Sequence, residues 1–261
     1  MNLDLTGKRA LVCGSTQGIG KAAAIELALL GADITLLARN EEKLHDTLHD
    51  IPDHGTLGHE YLVADFSDPE KLRSVITKYV NDKQIDILIN NTGGPPAGPA
   101  INADTDEFLR AFNSHLICSQ ILVQAVSPGM KDNGFGRIIN IISTSVKTPL
   151  KDLGVSNTVR AAVASWAKTL AMELAPFGIT VNNVLPGYTM TGRLESLIGN
   201  ISNKEGKSET EVQKDMISTI PAGRIAEPHE VAAAIAFLAS PAASYINGIN
   251  VPVDGGKTPC L

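Results

Sequence analysis

Gly14-Ser-Thr-Gln-Gly18-Ile-Gly20 has the residue types and spacing to hold a pyrophosphate. Residues without a Cβ let the chain turn tightly, so that backbone N–H groups and a following helix N-terminus approach an anion closely. Ser15 and Ile19 lie inside this turn and belong to the same candidate site. Further on, Ala38-Arg39-Asn40 carries a guanidinium and no acid before Glu41. A site selective for NAD places a carboxylate there for the ribose 2′-hydroxyl, whereas the planar donor fork of an arginine suits a 2′-phosphate. NADP(H) is expected in preference to NAD(H).

These residues need a scaffold, and the apolar periodicity supplies one. Strand patterns at 9–13, 33–38, 60–63, 86–90, 137–143, 179–185 and 249–253 alternate with helical patterns at 18–30, 41–50, 69–80, 104–130, 154–175 and 228–239. That rhythm predicts βαβ units in one α/β domain spanning 1–261: a doubly wound, Rossmann-like fold with a seven-stranded parallel sheet and helices on both faces. Asp68-Pro69 and Glu227-Pro228 read as helix starts, and Gly31 and Gly178 as left-handed helix ends. One stretch breaks the rhythm: polar residues 199–211, flanked by Leu194, Leu197, Ile198, Met216, Ile217 and Ile220, predict a helical flap near 188–227 over the carboxyl end of the sheet.

Composition narrows the partners. The 261 residues are 43% apolar with a net charge of −6 and no basic run, which argues against nucleic acid. No signal-peptide layout opens the chain and no apolar run approaches bilayer length, so a cytoplasmic protein without a membrane partner is expected. Cys13, Cys118 and Cys260 are odd in number and far apart, suggesting neither disulfides nor a metal site. Cys13 and Cys118 read as small buried hydrophobes.

Taken together, the motifs resemble the short-chain dehydrogenase/reductase family of classical type, including its 3-oxoacyl-[acyl-carrier-protein] reductase-like members. Gly14-x-x-x-Gly18-x-Gly20 is that family's version of the glycine turn. The resemblance implies further cofactor contacts from Asp65 and Phe66 after the third strand, Asn91 and Gly93 in Asn90-Asn-Thr-Gly93, and Pro186, Gly187 and Thr191 at the nicotinamide. It also implies a homotetramer.

The same resemblance exposes a departure. Where the family has Asn, Ser, Tyr and Lys, this chain has His115, Ser143, Ser156 and Arg160. A tyrosine made acidic by a neighbouring cation donates a proton well near neutrality, and a serine hydroxyl does not. Arg160 cannot shuttle a proton, but it can hold the nicotinamide ribose or stabilise negative charge. His115, with an ordinary pKa of about 6.5, is the one group of the four expected to titrate near neutrality, and a water beside it could relay the proton. Lys147 and Tyr188 are weaker candidates for the missing acid.

The expected activity is an NADP(H)-dependent oxidoreductase acting on a small-molecule carbonyl/alcohol pair with a non-standard proton donor. The alternative is a non-catalytic dinucleotide-binding sensor or partner subunit. Residues 93–99 would form a stiff rim to the pocket and Leu150 and Leu153 its mouth; Lys147 and Lys151 leave room for an anionic substrate.

Overall fold

Runs of β-branched and aliphatic residues bounded by glycine, proline and polar turns pair into one sheet. The computed structural model describes residues 1–260. Its strands are β1 (Arg9–Cys13), β2 (Asp33–Ala38), β3 (Glu60–Val63), β4 (Ile87–Asn90), β5 (Gly136–Ile141), β6 (Ile179–Pro186) and β7 (Asn250–Val253). All neighbours are parallel, in the order β3-β2-β1-β4-β5-β6-β7. The order reverses between β1 and β4, and ligands of such sheets bind in the crevice beyond that switch point.

Period-two alternation divides the strand residues between two cores. Val12, Leu36, Ile89 and Val184 pack with α1 (Gly18–Leu29) and α9 (Pro228–Ala239). Small residues on these two helices, Ala24 and Ala28 on one, Ala232 and Ala236 on the other, belong to the same core and allow close approach. Leu11, Leu37, Leu88 and Val181 face the opposite layer, made by α3 (Pro69–Val80), α5 (Cys118–Asp132) and α6 (Gly154–Leu174). Cys13 and Cys118 are both in this second core as free thiols, and burial pushes the Cys118 thiol up to about 12. Both are inert packing groups.

A polar ladder ties the middle of the sheet together. The Asn90 amide donates to Asn140 Oδ1 at 2.9 Å, Asn140 to Asn183 at 2.8 Å and Asn183 to Asn250 at 2.8 Å, each across a registered strand pair. Asn90, Asn140 and Asn183 are almost wholly enclosed, so these bonds offset a desolvation cost that an unpaired amide would bear in full.

Helix ends follow the local chemistry. Asp68 caps α3 with Pro69 at its first position, Asn40 caps α2 (Glu41–His49), and Glu227 with Glu230 forms a capping box on α9. Gly31 and Gly178 have φ of 93° and 72°, the left-handed ends expected of them. The structure departs from expectation in one place. The helix predicted over 104–130 is broken: α4 (Thr105–Phe112) runs into one π-helical turn, Asn113–Ile117, before α5 begins. The polar stretch of the flap lies within two helices and the turn between them. It forms the end of α7 (Gly192–Glu205), a left-handed turn at Gly206, and the start of α8 (Glu209–Ser218), which Ser208 and Glu211 cap reciprocally. Leu194, Ile198, Val212 and Met216 make a small core between the two flap helices.

No helix among the described residues is long and apolar enough to cross a membrane.

Candidate active site

The glycine turn is crowded where it must be and open where a ligand must enter. Gly14 and Gly18 have φ of 58° and 56°, a region that side chains rarely adopt. A Cβ on Gly20 would lie 2.2 Å from the Gly14 carbonyl oxygen, so α1 can pack under the turn only through glycine. Asn91 Nδ2 donates to the carbonyls of Cys13 and Gly14, at 3.2 and 3.3 Å, which locks the end of β4 to the turn. Thr191 Oγ1 caps α7 by accepting from the Leu194 N–H at 3.4 Å, and its methyl group would lie 3.1 Å from a Cβ on Gly18. The flap therefore starts against the pyrophosphate turn. Gly93 has nothing within 4 Å of its Cβ position, leaving space for a dinucleotide along the ends of β1 and β4. A Cβ on Gly187 would lie 2.7 Å from Asp254 Cβ, so Pro186-Gly187 holds the end of β6 against the start of the C-terminal segment.

Several expected contacts change character. Ser15 is fully buried, with its hydroxyl turned toward the Leu37 carbonyl at 3.5 Å, so only its backbone is available to a ligand. Ile19 packs against the core beneath the turn. Phe66 is in the second core, and its carbonyl accepts from Cys118 Sγ. Asp65, half-buried beside it, accepts the Ser67 N–H at 2.9 Å and keeps its other oxygen available. The side chain of Arg39 is exposed at the end of β2, where it can reach a 2′-phosphate.

At the opposite side of β4, Arg160 links Ser156 on its own helix to the end of β5, two residues before Ser143, and acts on His115 in the π turn. Ser143 Oγ accepts from the Ser145 N–H at 3.1 Å, which leaves its own O–H free to donate. Arg160 Nε donates to Ser156 Oγ at 3.3 Å, and Nη1 donates to the Ile141 carbonyl at 3.1 Å. Ser156 is thus also left with a free O–H, polarised by a guanidinium one turn along the same helix. Burial, and then Arg193, lower the Arg160 pKa to about 10, so it remains charged at neutral pH.

His115 does not behave as the sequence suggests. It is 6% exposed, and burial, then the charges of Arg160 and Arg193, push its pKa down to about 3 against a weaker opposing hydrogen bond with the Gly93 backbone. The imidazole is neutral throughout the working range and cannot be the acid that titrates near neutrality. Its Nε2 is buried with no hydrogen-bond partner, an expensive arrangement that a ligand would relieve. The π turn that carries it is a feature often found at functional sites. Tyr188 fares no better as an acid, because burial raises its pKa.

This has a measurable consequence. An unfolded chain protonates His115 near pH 6.5 while the folded protein resists until about 3. The unfolded state therefore binds more protons between these values; stability is fully present above pH 6.5 and falls as pH drops through the window, by up to about 1.4 kcal/mol per unit. Thermal melts at fixed ionic strength should show a shallower loss of Tm from pH 6.5 to 4 in His115→Gln than in the parent protein. An unchanged slope would contradict the burial of a neutral imidazole.

Arg193 was not anticipated. It opens α7 two residues after Thr191 and donates to the carbonyls of Gly94 and Pro95, at 3.0 Å each. The nearest signal in the sequence was its spacing from Thr191; only the folded flap shows that it reaches the rim. At the mouth, Gly98 and Leu153 form an isolated parallel bridge, Leu150 is clasped through its backbone by Asn157, and Asp152 has a φ of 58°. Among the described residues no cluster of three or more His, Cys, Asp or Glu side chains could hold a metal ion.

Comparisons with known proteins agree with this geometry. A family model described as enoyl-(acyl carrier protein) reductase matches residues 14–258. The NADPH-dependent reductase BacG of Bacillus subtilis (strain 168) is 32% identical over 97% of this chain and 98% of its own length. The 3-oxoacyl-[acyl-carrier-protein] reductase FabG of Haemophilus influenzae is 36% identical over 97% of this chain and 98% of its own. Among solved structures, L-sorbose reductase from Gluconobacter frateurii, complexed with NADPH and L-sorbose, superposes with a TM-score of 0.93 at 28% identity, covering 100% of both chains. With a seven-stranded doubly wound sheet, a three-glycine turn at its switch point and relatives matched over nearly its whole length, the chain belongs to the short-chain dehydrogenase/reductase family.

Proposed function

We propose that this protein is an NADP(H)-dependent oxidoreductase that interconverts a small-molecule carbonyl and its alcohol, using paired serine hydroxyls and a guanidinium in place of a tyrosine acid. The observation that carries this reading is the state of Ser143 and Ser156: each oxygen already accepts a hydrogen bond, and each O–H is free. Two such donors aimed at one oxygen stabilise the alkoxide that develops as a carbonyl is reduced, with Arg160 adding charge behind Ser156.

The glycine turn, Arg39, Asp65, Gly93 and Thr191 fit a dinucleotide phosphate, whose nicotinamide, when bound, supplies the hydride. Arg160 also lies within reach of the nicotinamide ribose in this reading. The proton reaches the alkoxide from water through the serine hydroxyls, since no side chain of the four is an acid near neutrality. Helices α7 and α8 close over the substrate, and the exposed Met172, Phe177 and Tyr245 supply contacts for a homo-oligomer, a tetramer by family resemblance, working in the cytoplasm.

The test is NADPH consumption across a panel of ketones and aldehydes from pH 5 to 9. Turnover is expected with a rate that varies little with pH, because the donors do not titrate there. Tight NADPH binding without oxidation of any compound would replace this reading with that of a non-catalytic sensor or partner subunit. The cofactor form has its own check: Arg39→Ala should weaken NADPH binding by roughly 10- to 100-fold and leave NADH binding nearly unchanged, as read by fluorescence titration of both.

A further inference from the structure

The two guanidiniums of Arg160 and Arg193 meet at Gly94. A Cβ placed there would lie 2.7 Å from Arg193 Nη2 and 3.3 Å from Arg160 Nη2, so the two nitrogens are within about 6 Å of each other. Charged N–H···O bonds run about 2.7–2.9 Å, and a carboxylate with an oxygen on each nitrogen spans such a gap. Among the described residues no carboxylate lies within 4.0 Å of either guanidinium, while the exposed pair Arg224–Glu230 shows the usual arrangement at 2.6 Å. Arg160 is 9% exposed and its Nη2 makes no hydrogen bond to the protein. Arg193 is exposed, so water screens part of the repulsion, but the enclosed Arg160 guanidinium still has no counter-ion. Both charges act on the His115 imidazole, which is 6% exposed and whose Nε2 has no hydrogen-bond partner. A neutral imidazole can present a donor at that nitrogen through its tautomer.

We propose that Arg160, Arg193 and His115 form a subsite for the free carboxylate of the substrate, which is a small 2-oxo or 3-oxo carboxylic acid. The inference rests on the oxidoreductase reading above and narrows its substrate. The short spacing follows from Arg160 itself: its Nε holds Ser156, which faces the reacting oxygen, while its Nη2 faces the carboxylate. One planar guanidinium therefore spans both groups, leaving room for at most one carbon between carbonyl and carboxylate. A cofactor phosphate is the other anion available: Arg193 lies two residues past Thr191, which packs at Gly18, whereas Arg160 is anchored at Ile141, across β4 from the glycine turn, and NADPH affinity in the variant separates the two sources. Arg193 rides on the first turn of α7 and already bonds the rim carbonyls of Gly94 and Pro95, so an anion on its remaining N–H groups strengthens the hold of the flap over the substrate.

The experiment compares pyruvate and acetoacetate with their methyl esters, using NADPH and the full chain. The acids are expected to exceed the esters in kcat/KM by at least about tenfold, and Arg193→Gln to remove most of that preference through the KM of the acids, with NADPH affinity within about twofold of the parent. Arg193→Lys should keep part of the preference. Equal use of acid and ester by the parent protein overturns the proposal, as does a loss of NADPH affinity in Arg193→Gln that matches the loss for the acids, which would assign the pair to a cofactor phosphate. If no compound is reduced, the oxidoreductase reading fails separately, and quenching of bound NADPH fluorescence by oxamate still decides the subsite. Saturable quenching that Arg193→Gln weakens supports it, and no quenching overturns it.

Discussion

Arg160→Leu is expected to lower the rate of carbonyl reduction by about 10²- to 10³-fold, the usual effect of removing one preorganised donor to a developing oxyanion. The loss should fall mainly on kcat. Arg160 orients Ser156 through Nε and places charge behind its hydroxyl, and both effects grow as the substrate oxygen becomes negative. NADPH affinity should change only about threefold, since the glycine turn and Arg39 hold the phosphates and Arg160 contributes at most a ribose contact. A loss of affinity as large as the loss of rate would make Arg160 chiefly a cofactor residue. The substitution also leaves the Ile141 carbonyl unpaired, at a cost of about 1–3 kcal/mol, so the measurement belongs well below the melting temperature. Arg160→Lys keeps a charge but lacks the planar fork, and should fall between the two.

Gly20→Val should abolish cofactor binding, with NADPH affinity falling by about 100-fold or more, because of a clash the chain cannot relieve locally. Its Cβ would lie 2.2 Å from the Gly14 carbonyl oxygen and 2.8 Å from Asn91 Nδ2. Both neighbours are held: the first is turn backbone, and the second donates to the carbonyls of Cys13 and Gly14. The turn must open, and with it the row of N–H groups that would face the pyrophosphate. Titration of NADPH fluorescence reads the affinity and a thermal melt shows that the domain still folds. Binding unchanged within about threefold would mean that the phosphates lie elsewhere.

How much was legible differs between the two ends of the site. At the nucleotide end the information is local: a strand, a turn without Cβ atoms and a helix are contiguous, so Gly14, Gly18 and Gly20 announce themselves through spacing. Even there, side-chain direction was hidden. Ser15 and Phe66 lie in the expected segments, yet both are turned into the core, because a residue's face depends on the packing of neighbours distant in sequence. The polar flap residues interrupt the strand-helix rhythm, and reciprocal capping by Ser208 and Glu211 starts a helix inside them.

The chemistry end was harder because its properties are collective. Resemblance marked His115 as a titrating group, and an isolated imidazole would be one. Enclosure in the π turn under the influence of two guanidiniums makes it a neutral group whose Nε2 has no partner instead. Arg193 carried no motif, and its importance arises only when α7 folds back onto Gly94 and Pro95.

Residue order and type were enough to specify the doubly wound sheet, its crossovers and the phosphate turn, since apolar periodicity and glycine geometry act over a few residues. The protonation state of His115, the free hydroxyls of Ser143 and Ser156 and the meeting of Arg160 with Arg193 were decided by the fold alone. Desolvation and charge–charge energies depend on distances through space, and those exist only once the chain is packed.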